Sequence, residues 1–433
     1  MSNQHINNKE IATAKKPRND ASNLSLRGTK QSVSLTPKLR FKEFAGDWEF
    51  DKMNNITSYV DYRGRAPIKS NSGIFLVTAK NIKKGFIDYE KSKEFVPSEN
   101  YNLVMSKGLP QKGDILFTTE APLGNIALVD NPKIALAQRV IKLRGKENID
   151  NIFLLHYMLA PIYQKLIIKK SIGTTVQGIS GKELRKTKVS FPNLQEQQKI
   201  AAFITSVDDK IQQLTKKKTL LEQYKKGVMQ QIFSQQLRFK ADDGSDFADW
   251  EEKKLGEVAK VITGSTPSTS NQEYYGGKKL FVSPADIQGN RYVFNTKTTL
   301  TELGFNKGRK VKKNSVLFVC IGSTIGKVAQ ASEECLTNQQ LNVLEALETN
   351  SNDFIFSILS FNGDRIKLLA GVQAVPQINK TDFSNFKFKF PSLKEQQKIA
   401  TYLSAIDTKI ENVQTQIAKT QTFKKGLLQQ MFV

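Results

Sequence analysis

Two segments of this chain, about half its length apart, share one pattern of apolar and polar positions. Phe191–Ser234 aligns without a gap on Phe390–Val433, at an offset of 390 − 191 = 199 residues, and both contain the residues EQQKIA. After that motif, apolar residues recur every three or four positions, which predicts two amphipathic helices of roughly 40 residues. The predicted coiled-coil seam consists of Ile200, Ile204, Val207, Ile211 and Leu214 in the first helix and of Ile399, Leu403, Ile406, Ile410 and Val413 in the second.

Neither helix can bury such an apolar stripe on its own, and the obvious partner of each is the other copy. If a pseudo-twofold axis relates the two halves of the chain, the helices pack antiparallel as a coiled coil. The alternative is two separate helices, each docked on its own globular unit.

Each predicted helix begins just after a proline with the residues of a capping box. Asn193-x-x-Glu196 and Ser392-x-x-Glu395 have the required spacing. In such a box the N-cap side chain accepts a backbone N–H of the first turn, and the glutamate reaches back to the N-cap. We therefore predict capping roles for Asn193, Glu196, Ser392 and Glu395, and no acid chemistry for either glutamate.

A weaker repeat precedes each helix and indicates a duplicated globular unit. The residues LRFK occur at Leu39–Lys42 and at Leu237–Lys240, and Asp-Trp-Glu occurs around Trp48 and Trp250. Short β-rich runs such as DILFTTEAP and SVLFVCIG follow, broken by Gly, Pro and polar turns. The predicted class is α+β: two β-rich domains, each with a mixed or barrel-like sheet, joined by two long antiparallel helices that form a coiled coil with pseudo-twofold symmetry. The predicted boundaries are a disordered tail at 1–34, domains at 35–190 and 237–389, a central helix at 191–236 and a C-terminal helix at 390–433.

The net charge of the chain narrows the classes of partner that it could bind. The chain has 65 Lys and Arg against 41 Asp and Glu, a formal net charge of +24. Such a surplus favours a polyanionic partner, most often nucleic acid, although a ribosome-like role, a membrane-surface role or ordinary solvated lysines are alternatives.

No apolar window is long enough to predict a membrane span or a secretion signal. Two cysteines and two histidines argue against a disulfide framework, a histidine-based zinc site and a histidine triad, and favour a reducing, cytoplasmic location.

Each candidate enzymatic motif departs from the pattern that its chemistry requires. GSTIGKV at Gly322–Val328 resembles a phosphate-binding loop, but it has three residues between its glycines instead of four and Val328 after the lysine. Asn131-Pro132-Lys133 departs from the Asn-Pro-Pro-aromatic motif of amino-methyltransferases at its third position. Asp88-Tyr89-Glu90-Lys91 has the residue types of a nuclease site, but it lacks a paired acid. We therefore predict no catalytic residues and no metal site.

Polar turns at matching places in both units suit DNA recognition instead. Base edges are read by Arg, Lys, Asn, Gln, Ser and Thr, whereas phosphates bind Lys, Arg and hydroxyl groups. The predicted DNA-binding residues are Arg63, Arg65, Thr78, Lys80, Asn81, Gln138, Arg139, Thr174, Thr175 and Gln177 in the first unit, and Ser268, Thr269, Ser283, Asp286, Ser323, Thr324, Asn338, Gln339 and Gln340 in the second.

The order LRFxxF…DWE, a β-rich unit and then FPxLxEQQKIA, repeated to Val433, resembles the specificity subunits of Type I restriction–modification enzymes. The resemblance covers nearly everything from Pro37 onward. It implies that each β-rich unit is a target-recognition domain that reads one half of a split, asymmetric sequence in double-stranded DNA. It further implies that the two helices fix the spacing between the half-sites and scaffold two modification subunits and, through them, the restriction subunits. S-adenosylmethionine, ATP and Mg²⁺ would then belong to those partners, with no cofactor bound by this chain and no membrane involved.

Two competing hypotheses remain at this point. A self-sufficient nuclease or methyltransferase would require the motifs that fail above. A stand-alone coiled-coil adaptor would use its charge for DNA binding or for some other anion, without a specificity role in a larger complex.

Overall fold

The computed structural model describes residues 11–13, 36–63, 66–370 and 376–433, with the backbone alone at 11–13. They form two compact units. Unit 1 comprises Met1–Gln212 and Ala418–Val433, and unit 2 comprises Gln213–Ile417. The predicted tail, 1–34, lies outside the described residues except for a short strand at Ile11–Thr13, where the structure differs from the expected disorder. Arg65 also lies outside the described residues.

Unit 1 is built from short strands and helices that precede one long helix. Its strands are β1 Ile11–Thr13, β2 Leu39–Phe41, β3 Glu49–Lys52, β4 Thr57–Asp61, β5 Ile74–Val77, β6 Phe95–Val96, β7 Ile115–Thr118, β8 Ile126–Leu128, β9 Ile134–Leu136, β10 Val140–Gly145 and β11 Lys188–Phe191. Its helices are α1 Met53–Ile56, α2 Tyr101–Val104, α3 Asn151–Leu159, α4 Pro161–Lys170, α5 Gly181–Arg185 and the first part of α6 Leu194–Phe233.

Unit 2 repeats this plan. Its strands are β12 Glu251–Lys254, β13 Ala259–Thr263, β14 Tyr275–Val282, β15 Tyr292–Val293, β16 Thr298–Leu300, β17 Val316–Val319, β18 Val328–Ala331, β19 Leu336–Thr337, β20 Leu341–Ala346 and β21 Lys387–Phe390. Its helices are α7 Leu255–Val258, α8 Glu302–Phe305, α9 Asn352–Leu369, α10 Lys380–Asn385 and the first part of α11 Leu393–Gln430.

The sheets of the two units have corresponding strand orders. The main sheet runs β4-β10-β7-β8 in unit 1 and β13-β20-β17-β18-β15 in unit 2. The smaller sheets, β6-β5-β9 and β16-β14-β19, each contain one parallel pair, β5 with β9 and β14 with β19. Strands β7 and β17 are buried at every position, which explains why all their residues except Thr118 are apolar. The predicted α+β class is therefore confirmed.

The long helices pack antiparallel, as predicted. In unit 1, Ile200, Ile204 and Val207 near the start of α6 share one core with Leu427, Met431 and Phe432 at the end of the chain. In unit 2, Ile399, Leu403 and Ile406 near the start of α11 share one core with Val228, Met229 and Ile232 at the end of α6. The start of each helix thus meets the end of the other.

The predicted seam is not a pure coiled coil along its length. Its first residues in each helix belong to the large domain cores, and Ile211 and Ile410 lie partly buried against those cores. Only Leu214 and Val413 of the predicted seam, with Ile417 and Leu221, form a cluster made of helix residues alone. The pattern predicted the buried face correctly, but it did not distinguish a partner helix from a globular core, because both bury the same stripe. No helix in the described ranges combines the length and the hydropathy that a membrane crossing requires.

Candidate nucleic-acid interface

The start of α6 is held by a buried ion pair rather than by a capping box. Asn193 does accept the backbone N–H of Glu196, as predicted, at 3.0 Å. The Glu196 carboxylate, fully buried, instead accepts two hydrogen bonds from Arg40 at 2.8 and 2.7 Å and one from the Trp48 ring N–H at 3.4 Å. The capping role predicted for Glu196 is therefore wrong, because an arginine 156 residues earlier is the stronger partner.

The same arrangement recurs at the start of α11. Glu395, also fully buried, accepts from Arg238 at 3.3 and 3.0 Å, which corrects the capping role predicted for it as well. Ser392 precedes the helix, and its backbone carbonyl accepts from Gln396. The repeated arginine of LRFK and the repeated glutamate of EQQKIA are thus one interaction, formed once in each unit.

The next residue of the motif ties each long helix to the domain helix before it. The buried Gln197 side chain accepts from the backbone of Asp150, the N-cap of α3, and donates to the carbonyls of Asn148 and Pro192. Gln396 accepts from the backbone of Ser351, the N-cap of α9, in the same way. These contacts fix each domain on its long helix.

The predicted residues Thr78 and Asn81 close a turn after β5. The Asn81 side-chain oxygen accepts from the Thr78 N–H at 3.0 Å and from its hydroxyl at 2.7 Å, and the Asn81 amide donates to the carbonyls of Asp88 and Ser92. Asn81 is completely buried, so the structure contradicts its predicted contact with DNA. Its hydrogen-bonding groups are all used within the turn. Lys80, between them, is exposed.

Ser283 and Asp286 form the equivalent turn after β14. One Asp286 carboxylate oxygen accepts from the Ser283 N–H at 2.8 Å and from its hydroxyl at 2.6 Å, and the other accepts from the Lys297 N–H at 2.8 Å. The predicted DNA contact of Asp286 is therefore not supported, because both carboxylate oxygens serve the fold. The Ser283 hydroxyl is committed to the same turn.

Four of the predicted residues of unit 1 surround one cleft of about 270 Å³: Thr78, Lys80, Gln138 and Arg139. Gln138 and Arg139 are exposed in the turn between β9 and β10. The Arg139 guanidinium, about half exposed, pairs with Glu120 at 2.8 Å. The structure thus brings together polar groups that are far apart in the chain.

Arg63 lies just after β4 and forms an ion pair with Asp61, the last residue of that strand. Burial alone would raise the pKa of Asp61, but the hydrogen bonds and charge of Arg63 and the charge of Lys107 outweigh it, and the pKa falls below its ordinary value. Lys107 also donates to the backbone carbonyls of Asp61 and Arg63 at 3.0 and 2.6 Å. The carboxylate therefore stays ionised and orients Arg63 at the domain surface.

The remaining predicted residues of unit 1 lie in one loop after α4. Thr174, Thr175 and Gln177 are all exposed. A backbone hydrogen bond from Ile179 to Thr119, of 3.0 Å, attaches the end of this loop to the strand that leads to Glu120.

In unit 2, three loops meet at the corresponding edge. Backbone hydrogen bonds from Gly264 to Leu341 and from Ser265 to Thr337 join the loop after β13 to the turn between β19 and β20. In that turn, Gln339 accepts from Thr266 at 2.5 Å, and Gln340 accepts from the Asn338 amide at 3.0 Å. Exposed hydroxyl side chains lie in the neighbouring loops, at Ser268, Thr269 and Ser323, with Thr324 partly exposed.

Equivalent backbone bonds show that the two clusters occupy the same place in the fold. Ala137 donates to Val77 in unit 1, and Asn338 donates to Val282 in unit 2, both at 3.0 Å. A second matching pair joins Thr119 to Arg139 and Cys320 to Gln340, at 3.0 and 2.8 Å.

Some cationic residues of these edges were missed by the sequence analysis. Lys69 lines the cleft of unit 1 and pairs with Glu94 at 2.7 Å, and its hydrogen bond lowers the pKa of that carboxyl group. Arg309 is exposed and donates to the carbonyl of Thr263 beside the loops of unit 2. Neither residue belongs to a repeated motif, so no sequence signal marked it, and its position at the edge follows from the fold alone. Within the described ranges, no cluster of three or more His, Cys, Asp or Glu side chains is suited to a metal ion.

Comparisons with known proteins found matches in both sequence and fold. A family model described as "Type I restriction modification DNA specificity domain" matches twice, at residues 47–223 and 248–421. The putative type I restriction enzyme MjaX specificity subunit of Methanocaldococcus jannaschii is 27% identical over 414 residues, which cover 90% of this chain and 94% of that protein. The type I restriction enzyme HindI specificity subunit of Haemophilus influenzae is 23% identical and covers 84% of this chain and 95% of its own length. A solved structure of the Type-I restriction-modification system S subunit from M. genitalium has a TM-score of 0.61 at 15% identity, covering 92% of this chain and 99% of that one, which shows a shared fold.

Proposed function

Because this chain belongs to the family of Type I restriction–modification DNA specificity subunits, we propose that it reads a bipartite, asymmetric sequence in double-stranded DNA. The chain is a DNA specificity subunit of a Type I restriction–modification system, a role that is itself non-catalytic, and the resemblance stated from its sequence is confirmed. In the proposal, unit 1 reads one half-site and unit 2 reads the other.

One observation carries the proposal: the family domain occurs twice, and each copy has a polar edge built by the same backbone bonds but with different side chains. At corresponding positions, Gln138 of unit 1 is matched by Gln339 of unit 2, but Arg139 is replaced by Gln340 and Lys80 by Ala285. Side chains that differ in this way favour different bases, because each base pair presents its own pattern of donors and acceptors in the major groove. Two different readers on one chain therefore support an asymmetric target.

The exposed members of both clusters are the proposed DNA contacts. In unit 1 they are Arg63, Lys80, Gln138, Arg139, Thr174, Thr175 and Gln177, with Thr78 at the edge of the cleft. In unit 2 the exposed members are Ser268, Thr269, Ser323 and Gln339, and Thr324, Asn338 and Gln340 are partly exposed. The net charge of +24 supplies a sequence-independent attraction to phosphates, which positions these side chains.

The proposal also assigns partners to the chain. The long helices, of 40 and 38 residues, would set the separation of the half-sites and carry two modification subunits, which in turn bind the restriction subunits. S-adenosylmethionine, ATP and Mg²⁺ would bind those partners rather than this chain. The repeated sequence of the helices supports equivalent docking of two copies of one partner.

Long-read detection of modified bases tests the proposal directly. Cells that carry this chain with its modification subunits should show one split, asymmetric methylated sequence, which disappears when the chain is deleted. Changing Gln339 and Gln340 to alanine should alter only one half of that sequence. A methylated target that is continuous or symmetric, or that persists without this chain, would contradict the proposal.

A further inference from the structure

The loop Ile172–Gly178 of unit 1 exposes large aliphatic side chains from a rigid support. Ile172 is 80% exposed and Val176 is 56% exposed, although neither residue type is usually placed in water. Thr174 and Thr175 lie between them and Gln177 follows them, and all three are also exposed. A surface that mixes apolar and hydrogen-bonding groups in this way suits recognition of a partner that has both.

The loop is held in one conformation by its own backbone. Ile172 and Gly178 exchange two hydrogen bonds of 2.9 and 3.0 Å, which close the loop as a hairpin closes. Gly173 has φ +111°, and a side chain there would meet the Val176 carbonyl at 2.3 Å, so the turn requires glycine. Gly178 also pairs with Glu120, whose carboxylate holds Arg139. A loop fixed in this way loses little conformational entropy when it binds.

The charge around the loop identifies DNA as the partner. Between residues 165 and 188 the chain has seven Lys and Arg and one acidic residue, Glu183. Glu183 itself is paired with Lys186 at 3.0 Å and lies 3.8 Å from Lys170. The segment is therefore strongly positive on both sides of the exposed aliphatic residues. This combination fits a polyanion that also offers apolar groups, and it is unfavourable for a basic protein surface.

We infer that this loop enters the major groove of the half-site read by unit 1, where Ile172 and Val176 contact the 5-methyl group of a thymine. That methyl group is the apolar feature of the base edges in the major groove, where it distinguishes thymine from cytosine. Thr174, Thr175 and Gln177 supply hydrogen bonds to neighbouring base edges. The inference rests on the proposed function and adds a base that unit 1 requires.

Deoxyuridine substitution tests the inference on the intact complex. The chain is assembled with its modification subunits, and its affinity is measured by fluorescence anisotropy for a duplex that carries the methylated target. Each thymine of one half-site, and separately of the other, is replaced by deoxyuridine, which lacks only the methyl group. At one thymine of the half-site of unit 1, the wild-type complex should lose about fourfold in affinity, the value of one buried methyl group.

Variants of the loop complete a double-mutant cycle between protein and DNA. For Ile172→Ser and Val176→Ser, the thymine duplex should bind several-fold more weakly, and the deoxyuridine duplex should cause little further loss. Both side chains are exposed, so the thermal unfolding midpoint should stay unchanged. Ile162→Ser, which removes an isoleucine 47% exposed on α4 and outside the loop, is the matched control and should keep the full deoxyuridine effect.

The outcomes separate this inference from the proposed function. If the wild-type complex does not prefer its target over a scrambled duplex, the proposed function fails. If it does prefer the target, the inference alone is overturned by a half-site without thymine, by no deoxyuridine effect at any position, or by equal effects in wild type and variants. Weaker assembly of Ile172→Ser with the modification subunits, at unchanged DNA affinity, would show that the loop binds protein instead.

Discussion

At the scale of single residues, the glutamate of EQQKIA explains why two short motifs are repeated together. Glu196 pairs with Arg40, and Glu395 pairs with Arg238, with each carboxylate fully buried. A buried charge without its partner is strongly unfavourable, so each residue of the pair requires the other. Trp48 and Trp250, the two tryptophans of the chain, lie in the cores of units 1 and 2 respectively.

Removing one partner of this pair should destabilise the unit that contains it. We expect Glu196→Gln to lower the free energy of unfolding of unit 1 by about 3 kcal/mol, because Arg40 is left nearly buried without a counter-charge. Urea unfolding followed by Trp48 fluorescence, in a Trp250→Phe background, measures unit 1 alone.

Two controls accompany this prediction. Lys93→Ala breaks an exposed ion pair with Glu90 and should change the free energy by less than about 0.5 kcal/mol. Glu395→Gln, followed by Trp250 fluorescence in a Trp48→Phe background, should destabilise unit 2 as Glu196→Gln does unit 1. A Glu196→Gln effect as small as that of Lys93→Ala would contradict the role of the buried pair.

His156 is the second residue whose environment has a measurable consequence. Burial, with a smaller contribution from the charge of Lys424, lowers the pKa of its imidazole to about 3. Its Nε2 lies 3.4 Å from the Thr205 hydroxyl, and its Nδ1 has no hydrogen-bond partner in the described structure. The neutral ring is therefore part of the folded state of unit 1.

Unit 1 should lose stability in mild acid. The unfolded imidazole binds a proton below about pH 6.5, whereas the folded one stays neutral, so the free energy of unfolding should fall by about 2 kcal/mol from pH 7 to pH 5. Trp48 fluorescence at each pH measures this fall, and His156→Leu should abolish most of it. Unit 2 contains no histidine and serves as the control. An equal pH dependence of both units would refute this account.

At the scale of elements, two equivalent ion pairs join the long helices. Lys225 of α6 pairs with Asp407 of α11 within unit 2, and Lys424 of α11 pairs with Asp208 of α6 within unit 1. Lys424 corresponds to Lys225 and Asp407 to Asp208 at the repeat offset, since 424 − 225 and 407 − 208 are both 199. Antiparallel packing of two copies of one helix produces such reciprocal pairs, which supports the duplication read from the sequence.

A charge exchange tests the direction of helix packing. Asp407→Lys should destabilise unit 2 by about 1 kcal/mol, because two lysines then face each other, and the added change Lys225→Asp should restore most of that loss. Trp250 fluorescence in a Trp48→Phe background measures both. Lys226→Asp is the matched control: it lies one position along the helix, on a different face, and should not rescue. Rescue by Lys226→Asp alone would argue against the observed helix register.

At the scale of the whole molecule, each half of the sequence supplies part of the core of the other unit. Leu427, Met431 and Phe432, from the second half, complete the core of unit 1. Their equivalents in the first half are Val228, Ile232 and Phe233, at the repeat offset of 199. The end of α6 and the end of α11 therefore carry equivalent apolar groups, so either one can complete the core at the start of a long helix.

A chain cut between Gln235 and Gln236 should consequently form a dimer of its first half. The end of α6 in one copy would replace the end of α11 in the core of the other copy. Sedimentation of residues 1–235 with the modification subunit should show two copies, and long-read methylation data should show a symmetric target. Ile232→Asp, which places a charge in that core, should abolish the dimer. A monomer, or an unchanged asymmetric target, would rule out this antiparallel exchange.

The sequence by itself determined the duplication, the α+β class, the two long helices and the class of function, because periodicity and repeated motifs are properties of the chain order. It also located the polar edges of both units. It did not determine which polar residues remain available, since Asn81 and Asp286 close turns that the sequence presents as ordinary polar loops.

Only the tertiary structure decided the partners of distant groups. Glu196 has the spacing of a capping residue, yet it binds Arg40, and the first part of the helix seam joins a domain core instead of a lone partner helix. Both outcomes have one physical cause. A buried charge or an apolar stripe is stabilised by whichever complementary group the folded chain brings nearest, and that group is 156 residues away for Glu196.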